Sequence, residues 1–184
     1  MSDFHNINLD LDVADGLPQN QYTQENLTAL FDKVLQFIEQ KLINDLVLPY
    51  YVFDDVFTFT DWQKLSKSIS IYVCNTDEGL ELNKESRGKD YATNILSYPS
   101  QLPKELLVQM GDVFLGELVI CHDIVVRQAI EQDKTFDNHL THLVIHGILH
   151  LLGFDHELGK TQQDEMESFE IAILQSLGID NPYL

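Results

Sequence analysis

The chain has 184 residues, enough for one domain with a sizeable core and too few for a second of ordinary size. Hydrophobic residues make up 44% and charged residues 22%, a globular balance, and no apolar run reaches the roughly 18 residues of a membrane span. Eleven basic against thirty acidic side chains give a net charge of −19, which argues against a nucleic-acid partner unless a local cleft opposes the global sign. Met1-Ser-Asp-Phe-His5 lacks the basic-then-apolar pattern of a secretory signal, so a cytoplasmic protein is expected. Cys74 and Cys121 then read as two buried free thiols, with a disulfide as the alternative.

Ile7, Leu9, Leu11 and Val13 alternate with polar partners and predict a half-buried strand. From Thr23 the spacing of Leu27, Leu30, Phe31, Val34, Leu35, Ile38 and Leu42 predicts an amphipathic helix, with Thr23 as N-cap and Asn26 in its first turn. Residues 44–67, aromatic and acidic around Tyr50–Trp62, read as a short hairpin or an inserted loop. Ser68–Cys74 predicts a strand, and residues 77–86 a short helix leading into the basic cluster Arg87-Gly88-Lys89. Thr93–Tyr98, stopped by Pro99, is another strand; a loop bearing Pro and Gln follows, then a strand over Asp112–Ile120. Helices are predicted over 123–132, 136–152 and 161–177, the second closed by Gly153 as a C′ glycine. The third carries Met166, Phe169, Ile173, Leu174 and Leu177 on one face. No repeat, low-complexity tract or linker interrupts the chain. The expected architecture is one α+β domain spanning 1–184, a small mixed β-sheet packed with helices.

The chemistry concentrates in His146-Gly-Ile-Leu-His150-Leu-Leu-Gly153-Phe-Asp-His156. Residues four apart on a helix lie about 40° apart around the axis, so His146 and His150 share a face. Each can offer a nitrogen to one tetrahedral ion at about 2.0–2.1 Å. His156 joins them only if the helix breaks, and Gly153 stands where a left-handed residue would turn the chain back. Three protein ligands leave a position for water, the layout of a catalytic zinc site. His142, His146 and His150 form an alternative stripe, but three turns span about 12 Å, too far for one ion. His142 therefore reads as core-facing or as steadying a ligand from behind, and His139 as exposed. The spacing is that of the metzincin signature H-E-x-x-H-x-x-G-x-x-H, except that Gly147 stands where the protease has its glutamate base.

The eleven-residue histidine segment also resembles the signature of the bacterial YbeY-type endoribonucleases, single-strand-specific metal enzymes of rRNA maturation. Arg87-Gly-Lys-Asp-Tyr-Ala-Thr-Asn-Ile-Leu-Ser-Tyr98 resembles the family segment R-x-K-D-x-x-T-D-V-L-S-F, and Leu115-Gly-Glu-Leu-Val-Ile120 resembles its L-G-D-I-x-I strand. The later helix with Glu165, Met166 and Glu170 fits as well, so the likeness covers about residues 68–181. Asn94 and Glu117 replace aspartates of the pattern, and Tyr98 and Phe154 exchange tyrosine with phenylalanine. Residues 44–67 are longer and more acidic than the pattern and read as a family-variable insertion.

The resemblance implies one Zn2+ held by His146, His150 and His156 on a metzincin-like metal helix, with Arg87 as the functional arginine. It implies an endoribonuclease acting on a single-stranded rRNA precursor, in rRNA end processing, ribosome maturation and ribosome quality control. The ribosome or a ribosomal protein is then the partner, and no membrane is involved. The chemistry agrees: zinc is a Lewis acid and a source of hydroxide, and a guanidinium can hold a phosphate bidentately. Lys84 and Lys89 flank Arg87 as a solvated loop or a basic patch. The general base stays open among zinc hydroxide, Asp155, Glu157 and Glu117. Two other readings stand beside this one: a ribosome assembly factor with a mainly structural metal, and a metzincin-like metalloprotease, which Gly147 disfavours.

Overall fold

A computed structural model describes residues 6–42 and 59–184. Among them, strands β1 (Ile7–Val13), β2 (Ser66–Cys74), β3 (Ile95–Pro99) and β4 (Asp112–Cys121) form one mixed sheet in the order β1-β2-β4-β3. β1, β2 and β4 run parallel, and β3 lies antiparallel against β4. The helices are α1 (Gln24–Leu42), α2 (Phe59–Lys64), α3 (Thr76–Arg87), α4 (Lys104–Met110), α5 (His122–Glu131), α6 (Phe136–Leu151) and α7 (Lys160–Ser176). This is the α+β domain the sequence predicts. Among the described residues, no helix is long and apolar enough to cross a membrane.

The main core lies on one face of the sheet. Phe31, Val34, Leu35 and Ile38 of α1, Ile145, Ile148 and Leu149 of α6, and Ile173 and Leu174 of α7 pack there on Ile69 and Ile71. Strand alternation alone would put Val113 and Leu115 on one face of β4 and Leu118 and Ile120 on the other, yet all four enter this core. A β-bulge reconciles them: Ser68 pairs with Phe114 but Ile69 pairs with Gly116, so Leu115 is the extra residue. Gly116 has φ +141°, and a Cβ there would stand 2.2 Å from the Tyr98 carbonyl oxygen. Only glycine fits that approach. The opposite face carries a smaller cluster of Cys74, Leu96, Val119, Cys121 and Ile124. Cys74 and Cys121 are register partners there, buried and free.

Three local expectations are corrected. Residues 104–110, taken as loop, form α4, because Leu107 plugs fully into the core and Gly111 at φ +67° ends the helix in a left-handed turn. Within 44–67, α2 occupies Phe59–Lys64, while the hairpin-or-loop reading of the remainder falls mostly on residues 43–58, outside the described residues. α2 is fastened by a buried lysine: Lys67 reaches the Trp62 carbonyl, lies 3.8 Å from Glu39 Oε1 and sits 4.9 Å over the Trp62 ring. Burial lowers its pKa to about 8 against the opposing pull of Glu39. Finally, His139 is buried, not exposed, because α5 packs over it and its Nε2 lies 3.1 Å from Gln128 Oε1.

Candidate metal centre

α6 starts where the Thr135 side chain accepts the Asn138 N–H at 3.1 Å, and its apolar face lies against the sheet and α7. His146 and His150, one turn apart near its end, have ring centroids 4.7 Å apart. The helix then closes in a Schellman turn. Gly153 N–H donates to the His150 carbonyl and Phe154 N–H to the Leu149 carbonyl, both at 3.0 Å, with Gly153 at φ +100°. That reversal sets His156 with its ring 5.1 Å from His146 and 5.0 Å from His150. One ligand nitrogen from each histidine lies within 4.8 Å of the others, so the three can hold a metal ion.

The backing of the His146 ring fits a cation. His146 Nδ1 bonds to Glu170 Oε1, which leaves Nε2 for the ion. His156 Nδ1 is buried with no hydrogen-bond partner among the described residues. Burial, then the neighbouring His146 and His156, lower the His150 pKa to about 4. Its lone pair is therefore free at neutral pH. Glu170, from α7, is fully buried. Burial pushes its carboxyl up, but His142, His146 and the Tyr183 hydroxyl outweigh that and hold it at about 2. The His142 contribution is electrostatic, since its Nε2 lies 3.8 Å from Glu170 Oε2.

These rings open into a cleft of about 540 Å³ whose walls include Arg87, His142, Tyr183 and residues 93–98 at the sheet edge. Arg87 ends α3, where Gly88 at φ +67° terminates the helix, and its Nη2 pairs with Glu157 Oε1 at 3.0 Å in a solvent-exposed contact. The structure thus brings His146, His150, His156 and Arg87 to one cleft. Lys84 pairs instead with Asp90 at 3.3 Å, and Lys89 lies over Tyr91; neither lines it. Of the carboxylates considered as bases, Asp155 and Glu157 border the cleft, while Glu117 is exposed on β4 outside it. The Asn94 amide is spent on Gln128 at 2.9 Å and on the Ile95 N–H at 2.7 Å, a structural use. Gly147 faces the sheet: a Cβ there would meet Leu118 Cδ2 at 2.8 Å and Ile95 Cδ1 at 2.9 Å, so a glutamate has no room.

Sequence reasoning gave Glu170 no role, and Tyr183 escaped it altogether. Glu170 had a signal: an acid at a core position of the stripe Met166, Ile173 and Leu174 needs a partner that neutralises it. Tyr183 had none, since it lies beyond the last periodic element.

Fold and site define a single-domain α+β protein with a three-histidine candidate metal centre at a helix end. Residues 17–178 match the family described as Endoribonuclease YbeY, and the chain belongs to that family. Among its relatives of that name, one from Psychrobacter arcticus is 59% identical over 138 residues, 75% of this chain and 66% of the relative. Another, from Psychrobacter cryohalolentis, is 53% identical over 149 residues, 81% of this chain and 94% of the relative. A solution structure from Thermotoga maritima aligns over 92% of this chain and 91% of its own, at 24% identity and a TM-score of 0.47.

Proposed function

We propose that this chain is a zinc-dependent endoribonuclease that cuts single-stranded regions of rRNA precursors during ribosome maturation. The observation that carries the proposal is the convergence of three imidazoles and one guanidinium on a single cleft, in a chain whose relatives bear the name Endoribonuclease YbeY. His146, His150 and His156 would hold the zinc, which supplies a Lewis acid for a phosphoryl oxygen and lowers the pKa of water.

The remaining work belongs to the chain's own groups. Arg87 binds the phosphate through two parallel N–H bonds, a geometry lysine cannot copy. Its present partner, Glu157, is 63% exposed, and exposed pairs contribute only about 0–1 kcal/mol, so exchanging Glu157 for a phosphate is easy. Glu170 fixes the orientation of His146. Asp155 and Glu157 are the carboxylates placed to take a proton within the cleft. The net charge of −19 supports docking on a basic partner such as a ribosomal protein.

A mainly structural metal is the weaker reading, because a three-ligand centre that opens into a cleft keeps a position for water. The protease reading loses its base to the packing around Gly147. The test is cleavage of an unstructured RNA by the purified protein, with metal content measured alongside. About one zinc per chain is expected. His150→Ala should lose metal and cleavage together, and Arg87→Ala should lose cleavage while keeping metal. Undiminished cleavage by folded, metal-free His150→Ala would refute the proposal.

A further inference from the structure

We infer that Tyr183 is a positioning residue of the metal centre, holding the Glu170 carboxylate in the one orientation that lets His146 present Nε2 to the ion. The inference rests on the metal reading above. Tyr183 follows α7, in a segment that comes back over the cleft. One bond ties that segment to the body of the protein, Lys134 Nζ donating to the Pro182 carbonyl at 3.3 Å, and within the segment the Tyr183 N–H donates to Asn181 Oδ1 at 2.9 Å. The Tyr183 hydroxyl then donates to Glu170 Oε2, while His146 Nδ1 bonds to Oε1.

The two oxygens of this fully buried carboxylate thus have different owners, and together they fix its plane. Among the described residues, Tyr183 is the only hydrogen-bond partner of Oε2; His142 Nε2, at 3.8 Å, is the next donor. The Tyr183 ring meets His142 edge-on, centroids 5.6 Å apart at 86°, and its hydroxyl lies 3.4 Å from His142 Nε2. Without that hydroxyl, Glu170 is free to turn towards His142 and loosen its grip on His146 Nδ1–H. The tautomer that offers Nε2 outward is then no longer imposed. The residue is 45% exposed, and its hydroxyl is the atom that reaches the buried acid.

The experiment is a zinc-affinity cycle on the full chain, by competition with a chromophoric chelator, for wild type, Tyr183→Phe, Glu170→Gln and the double variant. Thermal melts confirm that each is folded. Glu170→Gln should weaken zinc binding about 10–100-fold. Tyr183→Phe should weaken it about two- to tenfold, the scale of one ordinary hydrogen bond acting through the carboxylate. The double variant should be no weaker than Glu170→Gln, because the hydroxyl acts only through the carboxylate. Wild-type affinity in Tyr183→Phe would overturn the inference, as would an equal further loss when Tyr183→Phe is added to Glu170→Gln. If wild type takes up zinc through His150 in either case, the metal reading survives and only the role of Tyr183 falls. If wild type takes up none, both fall.

Discussion

In a solvent-facing helix interior, replacing glycine by alanine stabilises a protein by about 0.8–1 kcal/mol, because the backbone has less freedom to lose. Gly147 should reverse that sign. Its Cβ would lie 2.8 Å from Leu118 Cδ2, 2.9 Å from Ile95 Cδ1 and 3.1 Å from Leu118 Cδ1. These are side-chain ends and can move, but Leu118 is fully buried and Ile95 is 8% exposed, so movement disturbs the contact of α6 with β3 and β4. Overpacking of this kind costs about 1–3 kcal/mol. Set against the propensity gain, Gly147→Ala should be destabilised by about 0–2 kcal/mol. For a chain of this size that lowers Tm by up to roughly 8 °C. Urea and thermal unfolding, with and without zinc, give the answer. A variant more stable than wild type by about 1 kcal/mol would show that the position is open and that the steric account is wrong. Gly147→Glu should lose more, since its carboxylate enters apolar space, and should gain no proteolytic activity.

Gly153→Ala should strain the turn at φ +100° by about 1–2 kcal/mol and displace His156. Zinc affinity should fall well below that of Gly178→Ala, a left-handed glycine at φ +75° after α7; equal effects would detach the turn from the site. His139 is held at about 4 by burial, then by His142 and Lys134, against 6.5 when unfolded. The unfolded chain takes the proton first, so stability present above pH 6.5 is lost as pH falls towards 4, on the order of 2–3 kcal/mol. His139→Gln should flatten that part of the stability–pH curve, and an unchanged slope would rule His139 out as its source. Glu157→Gln frees Arg87 from a pair worth at most about 1 kcal/mol, so RNA should bind up to about fivefold tighter at low salt. Weaker binding would show that Glu157 positions Arg87 and does not compete with the phosphate.

The sequence revealed most where physical periodicity is strong. β1, α1 and α6 follow from alternation, from three-and-four spacing and from a terminal glycine, and their bounds agree with the prediction to within about two residues. The convergence of the histidines was legible because spacing, helix geometry and Gly153 sit within eleven consecutive residues, 146–156. α4 was hidden because seven residues between Pro103 and Gly111 are too few to show a period. The bulge in β4 was hidden because its apolar pattern resembles a fully buried strand unless the register is known. The burial of His139 depends on α5, and the Tyr183–Glu170–His146 chain joins three separate segments. No local pattern encodes contacts of that range.

The Schellman turn at Gly153 also bears on how the end of α6 moves. Final helical turns ordinarily fray, opening and closing far more often than the domain unfolds. Here His150 lies in the last turn and His156 just beyond the reversal, so each fraying event would pull two ligands apart. An ion bridging them makes that opening as costly as losing the ion, so amide exchange at Gly153 and Phe154 becomes a gauge of metal occupancy. The same link runs backwards. Whatever unwinds this one turn releases the metal, and because Leu149, Leu152 and Phe154 belong to the main core, it must also disturb the packing there.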